Sequence, residues 1–341
     1  MIGGVILLSA CKQGPQQAKQ QTTHNDSTAV KQVDTITDGI KRFTDFITAH
    51  PNASDPYWRR GILEAAQKNY GGAMLDYQHA IKLDSTKALY FYSLADLDFT
   101  IGHTRDAKDV FEHCIKLDPK NTDAILRLAE LYFLVKKYPD AMKYVSEAIK
   151  VNQYIAKEYF LKGMIYLETH DTVKAVSSMQ TAVEQNTKYY EAYIQLGLIF
   201  SRKHSPLAID YFNDAINLQP RSLEPYYDEG MHYQNMGDFD NAVKMYREIL
   251  QMDSTNKQVL YNMGYIAYAH DKDYKESIVY FDKAVRSDTT YFMAYYARGI
   301  CYEQLGMPDR ALLDYSHAMY LNPNFTPAVE AFKEVKEKLH K

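Results

Sequence analysis

A chain of 341 residues with 39 Lys and Arg against 43 Asp and Glu has a net charge of -4 and a pI of about 6.3. No basic field therefore draws it to nucleic acid or to an anionic membrane surface. Its three cysteines, Cys11, Cys114 and Cys301, lie far apart without C-x-x-C spacing and imply neither a disulfide framework nor a zinc site. The compositional oddity is 30 tyrosines beside 14 Phe and one Trp, because a phenol counts as polar in the mean hydropathy of -0.44 yet packs as a ring.

Residues 1–11 are apolar, end in small side chains and are too short to span a bilayer. Leu8-Ser9-Ala10-Cys11 resembles the bacterial lipobox, which implies a signal segment cleaved before Cys11 and acyl chains, palmitate among them, on its thiol. Lys12 follows where that resemblance would direct the protein to the outer membrane, facing the periplasm. No Lys or Arg precedes the apolar run, which departs from a signal segment; a start codon upstream of Met1 would supply one. Residues 12–30, rich in Gln, Lys, Ser and Thr, have little to bury and are expected to form a disordered tether. Asp26-Ser27-Thr28 and Asp34-Thr35-Ile36 resemble a bacterial O-glycan acceptor triplet, though ordinary linker composition accounts for them.

Residues 31–53, with Ile40, Phe43, Phe46 and Pro51, supply a half unit, an N-terminal helix. From residue 54 to 325 two series of small residues share a period of 33 to 35. The first is Gly61, Ala95, Ala129, Gly163, Gly197, Gly230, Gly264 and Gly299; the second is Ala73, Ala107, Ala141, Ala175, Ala208, Ala242, Ser277 and Ala311. A large residue follows each member of the second series by four and a third residue, usually small, by seven, as in Ala311, Tyr315 and Ala318; these lie on one helical face. Pro119, Pro220 and Pro323 stop that helix, with Ser85 or Ser254 elsewhere. Each unit is thus two antiparallel helices, with a tight turn near a residue such as Gly102, Gly237 or Gly306.

This pattern resembles the tetratricopeptide repeat, clearest in the last unit: Gly299, Tyr302, Gly306, Ala311, Tyr315, Ala318 and Pro323. The resemblance implies an all-α, right-handed α-solenoid of about eight helix pairs. A one-residue deletion around Ser205-Pro206, a one-residue insertion near Asp271-Lys272, and Val145 and Met179 at positions usually aromatic depart from it. In residues 326–341 the stripe Ala328, Phe332, Val335 and Leu339, with charge elsewhere, predicts a capping helix.

In this family the first helix of each unit lines the concave face. The residues three before the markers, Trp58, Tyr92, Leu126, Phe160, Ile194, Tyr227, Tyr261 and Tyr296, are expected to point into that groove. Residues four further on, among them Ile62, Met164, Leu198, Met231, Tyr265 and Ile300, extend an apolar lining, with Asp96 and Glu130 as an acidic interruption. Aromatic and Met surfaces suit peptide segments and helices. The opposing expectation is that these rings are core between units. The Lys and Asn by which chaperone-binding members hold a C-terminal carboxylate are missing, as is an Asn ladder at Arg59, Ser93, Arg127, Leu161, Gln195, Asp228, Asn262 and Ala297.

No H-E-x-x-H, Walker loop, G-x-S-x-G or G-x-G-x-x-G is present, and eleven His residues are scattered. The expectation is a non-enzymatic scaffold, anchored through a lipid on Cys11, that binds peptide segments or helices of envelope proteins. No cofactor, metal, nucleic acid or small-molecule substrate is expected. The alternative is a cytoplasmic chaperone or assembly adaptor without an anchor.

Overall fold

The computed structural model describes residues 26–339, with side chains from Thr35 onward; Cys11 and the lipobox lie outside the described residues. Helix α1 (Asp26–Ala49) begins inside the segment expected to be a tether. No Gly or Pro interrupts residues 26–38, so nothing in the local sequence stops the helix from extending that far.

The chain then alternates first and second helices. The pairs are α2 (Ser54–Ala66) with α3 (Tyr70–Leu83), α4 (Ala88–Thr100) with α5 (Thr104–Leu117), and α6 (Thr122–Leu134) with α7 (Tyr138–Val151). Next come α8 (Ala156–Glu168) with α9 (Thr172–Gln185), α10 (Tyr190–Arg202) with α11 (Leu207–Leu218), and α12 (Leu223–Met236) with α13 (Phe239–Met252). Last are α14 (Lys257–Ile266) with α15 (Tyr274–Ser287), α16 (Phe292–Gln304) with α17 (Pro308–Leu321), and α18 (Thr326–Leu339). No strand occurs among the described residues. The described residues divide into two compact units, 26–131 and 132–339, and each is all-α.

The markers are sites of close helix approach. A Cβ built on Gly61, Gly163, Gly230 or Gly299 would lie 2.6 to 2.7 Å from Tyr77, Met179, Tyr246 or Tyr315, sixteen residues later. Those partners, with Phe111, Phe212 and Phe281, are the large buried side chains of the second helices. The offset falls to fifteen for Gly197 and Phe212 and rises to seventeen for Gly264 and Phe281, so the deletion and the insertion both fall between the paired helices.

Every turn within a pair contains one left-handed residue: Lys68, Gly102, Lys136, His170, His204, Gly237, Lys272 or Gly306. The next residue returns its N–H to a carbonyl five residues back, as from Asn69 to Glu64 and from Met307 to Tyr302, which caps the first helix. In the unit with the insertion the Asp273 N–H instead reaches Ala267, six back, and residues Ala267–Asp271 form a π turn. The extra residue is absorbed there, at the end of the first helix.

Second helices stop differently from the sequence expectation. An Asp or Asn closes seven of the eight: Asp84, Asp118, Asn152, Asn186, Asp253, Asp288 and Asn322. Each side chain accepts the N–H two residues on, at 2.8 to 3.3 Å, which turns the backbone away from the helix. Proline follows only some of them. In the remaining unit Gln219 cannot make this short turn, and Pro220 comes next.

Candidate functional site

None of the residues three before the markers lies wholly in solvent, and they divide between core and edge. Leu126 and Ile194, 5% and 3% exposed, are core, which corrects the expectation for those two. The six aromatic ones are half-buried wedges.

In the first unit the Trp58 indole N–H donates to Ser93 Oγ at 2.8 Å, and its ring tilts against Tyr90 at 5.9 Å. Tyr92 leans on Phe111 at 6.3 Å. The expected acidic interruption is largely neutralised. Arg127 sits between Asp96, 2.8 Å from its Nε, and Glu130, 3.0 Å from its Nη1, with its guanidinium 5.7 Å from the Phe99 ring centre. Two carboxylates holding one cation leave a single net charge where the sequence reading saw two.

In the second unit Phe160 meets Tyr189 edge-on at 5.1 Å, and Met164 packs by Met179. Tyr227 leans on Tyr246 at 6.3 Å, and Tyr261 fills the space between Phe281 and Tyr291, 5.5 Å from each. Tyr296 stands 5.7 Å from Tyr315 and edge-on to Phe325 at 5.1 Å. Tyr92, Tyr227, Tyr261 and Tyr296 thus rest on the core ring of their own pair, Trp58 meets a ring of the next pair, and Phe160, Tyr261 and Tyr296 touch an aromatic residue just before the following first helix. Tyr265 is the openly exposed ring among the expected site residues, at 44%.

A polar hub lies behind one of these wedges, Tyr227. The Tyr246 hydroxyl, fully buried, donates to Gln234 Oε1 at 2.9 Å and lies 3.2 Å from Met231 Sδ. Asn262 brings its amide to Tyr246 Oη at 3.3 Å, Met231 Sδ at 3.4 Å and Tyr227 Oη at 3.5 Å. Next to Tyr227 the Asp228 carboxyl is pushed up to about 7, by burial first and by Glu224 second. Burial likewise raises the Tyr227, Tyr261 and Tyr296 phenols, so all three remain neutral hydroxyls at physiological pH.

The sequence reading named Asn262, Asp228 and Arg127 only as places where a ladder is missing, and it did not assign Gln234 or Tyr291 to the site. Part of the signal was present: Arg127, Asp228 and Asn262 directly follow Leu126, Tyr227 and Tyr261, and Gln234 lies two helical turns after Tyr227 on its face. Catalytic chemistry finds little here. Burial lifts the Cys114 and Cys301 thiols to about 11 and about 12, far from thiolate at neutral pH. Among the described residues no three His, Cys, Asp or Glu gather as metal ligands would.

Tetratricopeptide repeat family models match residues 101–153, 227–292 and 292–325. A human protein, tetratricopeptide repeat protein 16, is 26% identical over 127 residues; the match takes in 34% of this chain and 14% of that protein's length. The solved C-terminal part of a TPR repeat-containing protein from Cytophaga hutchinsonii aligns over 70% of this chain and 98% of its own. Its TM-score is 0.62 at 19% identity. A tetratricopeptide repeat protein from Parabacteroides merdae aligns over 73% and 98%, with a TM-score of 0.51 at 14% identity. At these identities the likeness concerns the fold alone.

Proposed function

Because the chain is a tetratricopeptide repeat protein, and so a protein-interaction scaffold, we propose that its first-helix face is the docking surface and that it receives peptide segments or helices of envelope proteins. The observation that carries this reading is the row of half-buried tyrosines packed on core rings, with Tyr227 backed by the Asn262 hub. Rings pinned on their core side by packing and hydrogen bonds offer a partner rigid, amphipathic area with little further ordering cost. Tyr227, Met231, Tyr261, Tyr265 and Tyr296 form the richest stretch.

The same proposal places the protein at the outer membrane, facing the periplasm, held by acyl chains on Cys11. The lipobox-like Leu8-Ser9-Ala10-Cys11 supports that placement, and more than one acyl chain anchors stably where one does not. No helix of the described residues is long and apolar enough to cross a membrane.

Two experiments test the two parts. Tyr227→Ala combined with Tyr261→Ala should remove partners from a cross-linking pull-down while circular dichroism stays helical. Loss of helicity would assign the rings to the core instead. For the anchor, cells given a palmitate analogue should label the wild-type protein and not Cys11→Ser. Equal labelling, or none in either, removes the lipoprotein reading and favours the unanchored adaptor.

A further inference from the structure

Departures from the repeat meet at one place inside the second unit, the step from the pair α10–α11 to the pair α12–α13. The turn within α10–α11 is one residue short, and α11 is the second helix that no Asp or Asn closes, so residues 219–222 lack the side-chain bond that fixes the other links. Just before the marker Gly230 stands Glu229, 3% exposed, where Leu94, Leu128, Leu196 and Met263 form core in their own pairs. Two after the marker stands His232, 2% exposed, where every other pair has Leu, Ile or Cys.

Neither group is compensated as its counterparts are. Arg60 and Arg298, at the position of Glu229 in the first and last pairs, each give Nε and Nη2 to an Asp sixteen residues on. Sixteen after Glu229 comes Met245, and Glu229 Oε2 has no hydrogen-bond partner among the described residues. His232 Nδ1 lies 3.1 Å from Ser201 Oγ, near the end of α10. The titratable groups beside the two are Tyr233, four after Glu229, and His204, whose N–H donates to the Ser201 carbonyl. Helices α11 and α12 contain no Lys or Arg; Arg202 on α10 and Lys244 and Arg247 on α13 are exposed, as are the acids of α10, α11 and α13. A buried polar group short of partners holds an interface less firmly than the apolar side chain it replaces. The starts of the same two helices are tied: the Tyr190 hydroxyl lies 2.9 Å from Ser222 Oγ and donates to Glu224 at 3.3 Å.

We propose that this step is a hinge: α12 pivots on residues 219–222 and the Tyr190 contacts, and the far ends of α10 and α12 part to admit water to Glu229 and His232. Tyr227 and Met231 ride on α12, so opening moves them away from α10; that this alters partner binding rests on the docking reading above. Water favours the charged form of each group, which gives the hinge its pH dependence. Burial keeps Glu229 protonated up to about 7, so opening becomes easier as pH rises from its ordinary 4.5 through that value. Burial first, and His204 second, keep the His232 imidazole neutral below its ordinary 6.5, so opening becomes easier as pH falls below 6.5. In acid the two effects oppose each other, and above 6.5 Glu229 acts alone.

Hydrogen exchange read by mass spectrometry on the full chain, at about pH 6 and about pH 8 and corrected for the intrinsic rate, tests it. At the higher pH, peptides from the ends of α10 and α12 should open at least about tenfold more often than peptides from α8, α9, α15 and α16. Glu229→Leu combined with His232→Ile, residues that other pairs hold at these positions, should abolish that excess with helicity unchanged. His232→Leu leaves Glu229 to titrate alone and should open about tenfold less often at the lower pH than at the higher. Wild-type helix ends as protected as the flanking pairs overturn the hinge, and so does an excess that survives the double variant. Equal opening of His232→Leu at both pH values overturns the control by Glu229. None of these readings needs a partner, so the hinge and the docking face fail separately.

Discussion

A methyl group added at Gly299 would come 2.6 Å from Tyr315 Cε1, in a position where Ala95 and Ala129 carry that methyl in their own units. The difference is local packing, so Gly299→Ala should cost about 1–3 kcal/mol through overpacking, read as a lower urea midpoint with an unchanged slope. The opposite sign is expected at Lys136, whose φ of 58° puts a Cβ-bearing residue in the left-handed region. Lys136→Gly should raise stability by up to about 1 kcal/mol, the relief of that strain less the entropy glycine loses. Glu229, 3% exposed and with no partner for Oε2, is pushed up to about 7, chiefly by burial, from an ordinary value of 4.5. The folded chain therefore holds its proton between those two values while the unfolded chain releases it. Stability from this group is full below the lower value and is lost as pH rises through the upper one, by roughly 3 kcal/mol. Glu229→Gln should match the wild type near pH 5 and exceed it near pH 8 in urea melts. A constant difference across that range contradicts the assignment.

At the scale of elements, the helix pairs were legible because two small-residue series on one period place Gly or Ala opposite a ring, and nothing but helix packing needs that arrangement. Where the second helices end was legible only in part. Pro119, Pro220 and Pro323 drew attention as breakers, whereas a periodic Asp or Asn, from Asp84 to Asn322, makes the turn in seven units. The insertion near Asp271 was visible as a broken period, but a broken period does not say whether the extra residue loops out or widens a helix; the structure puts it in the π turn. Deleting His270 should return this turn to the five-residue step of its neighbours and keep the melting temperature within about 3 °C, since one π turn contributes little cohesion. A collapse in melting temperature would mean that the wide turn supports the unit. The site was the hardest to read. Spacing alone put Leu126, Ile194 and Tyr261 in one class, because residues at the same helical angle diverge only once their neighbours are known. Leu126 and Ile194 fit wholly between helices, while the larger rings at this position meet neighbouring rings already packed there and stay at the edge.

Beyond the single pair, within each unit a helix pair is stabilised by its neighbours and an end must be covered. Helix α18 does this for the last pair, burying Ala328, packing Val335 beside Tyr315 and turning charged residues to water. A stack of this kind offers two surfaces within a unit, one on the first helices and one on the second. The account assigns partners to the first, and its second unit displays the two alternatives side by side: Tyr265, exposed on α14, and Leu313, exposed on α17. The most direct measurement replaces each in turn with a photo-cross-linking benzoylphenylalanine and irradiates living cells. Discrete protein adducts are expected from position 265 and none from position 313. Adducts from position 313 alone, or equally from both, would contradict the first-helix face as the docking surface.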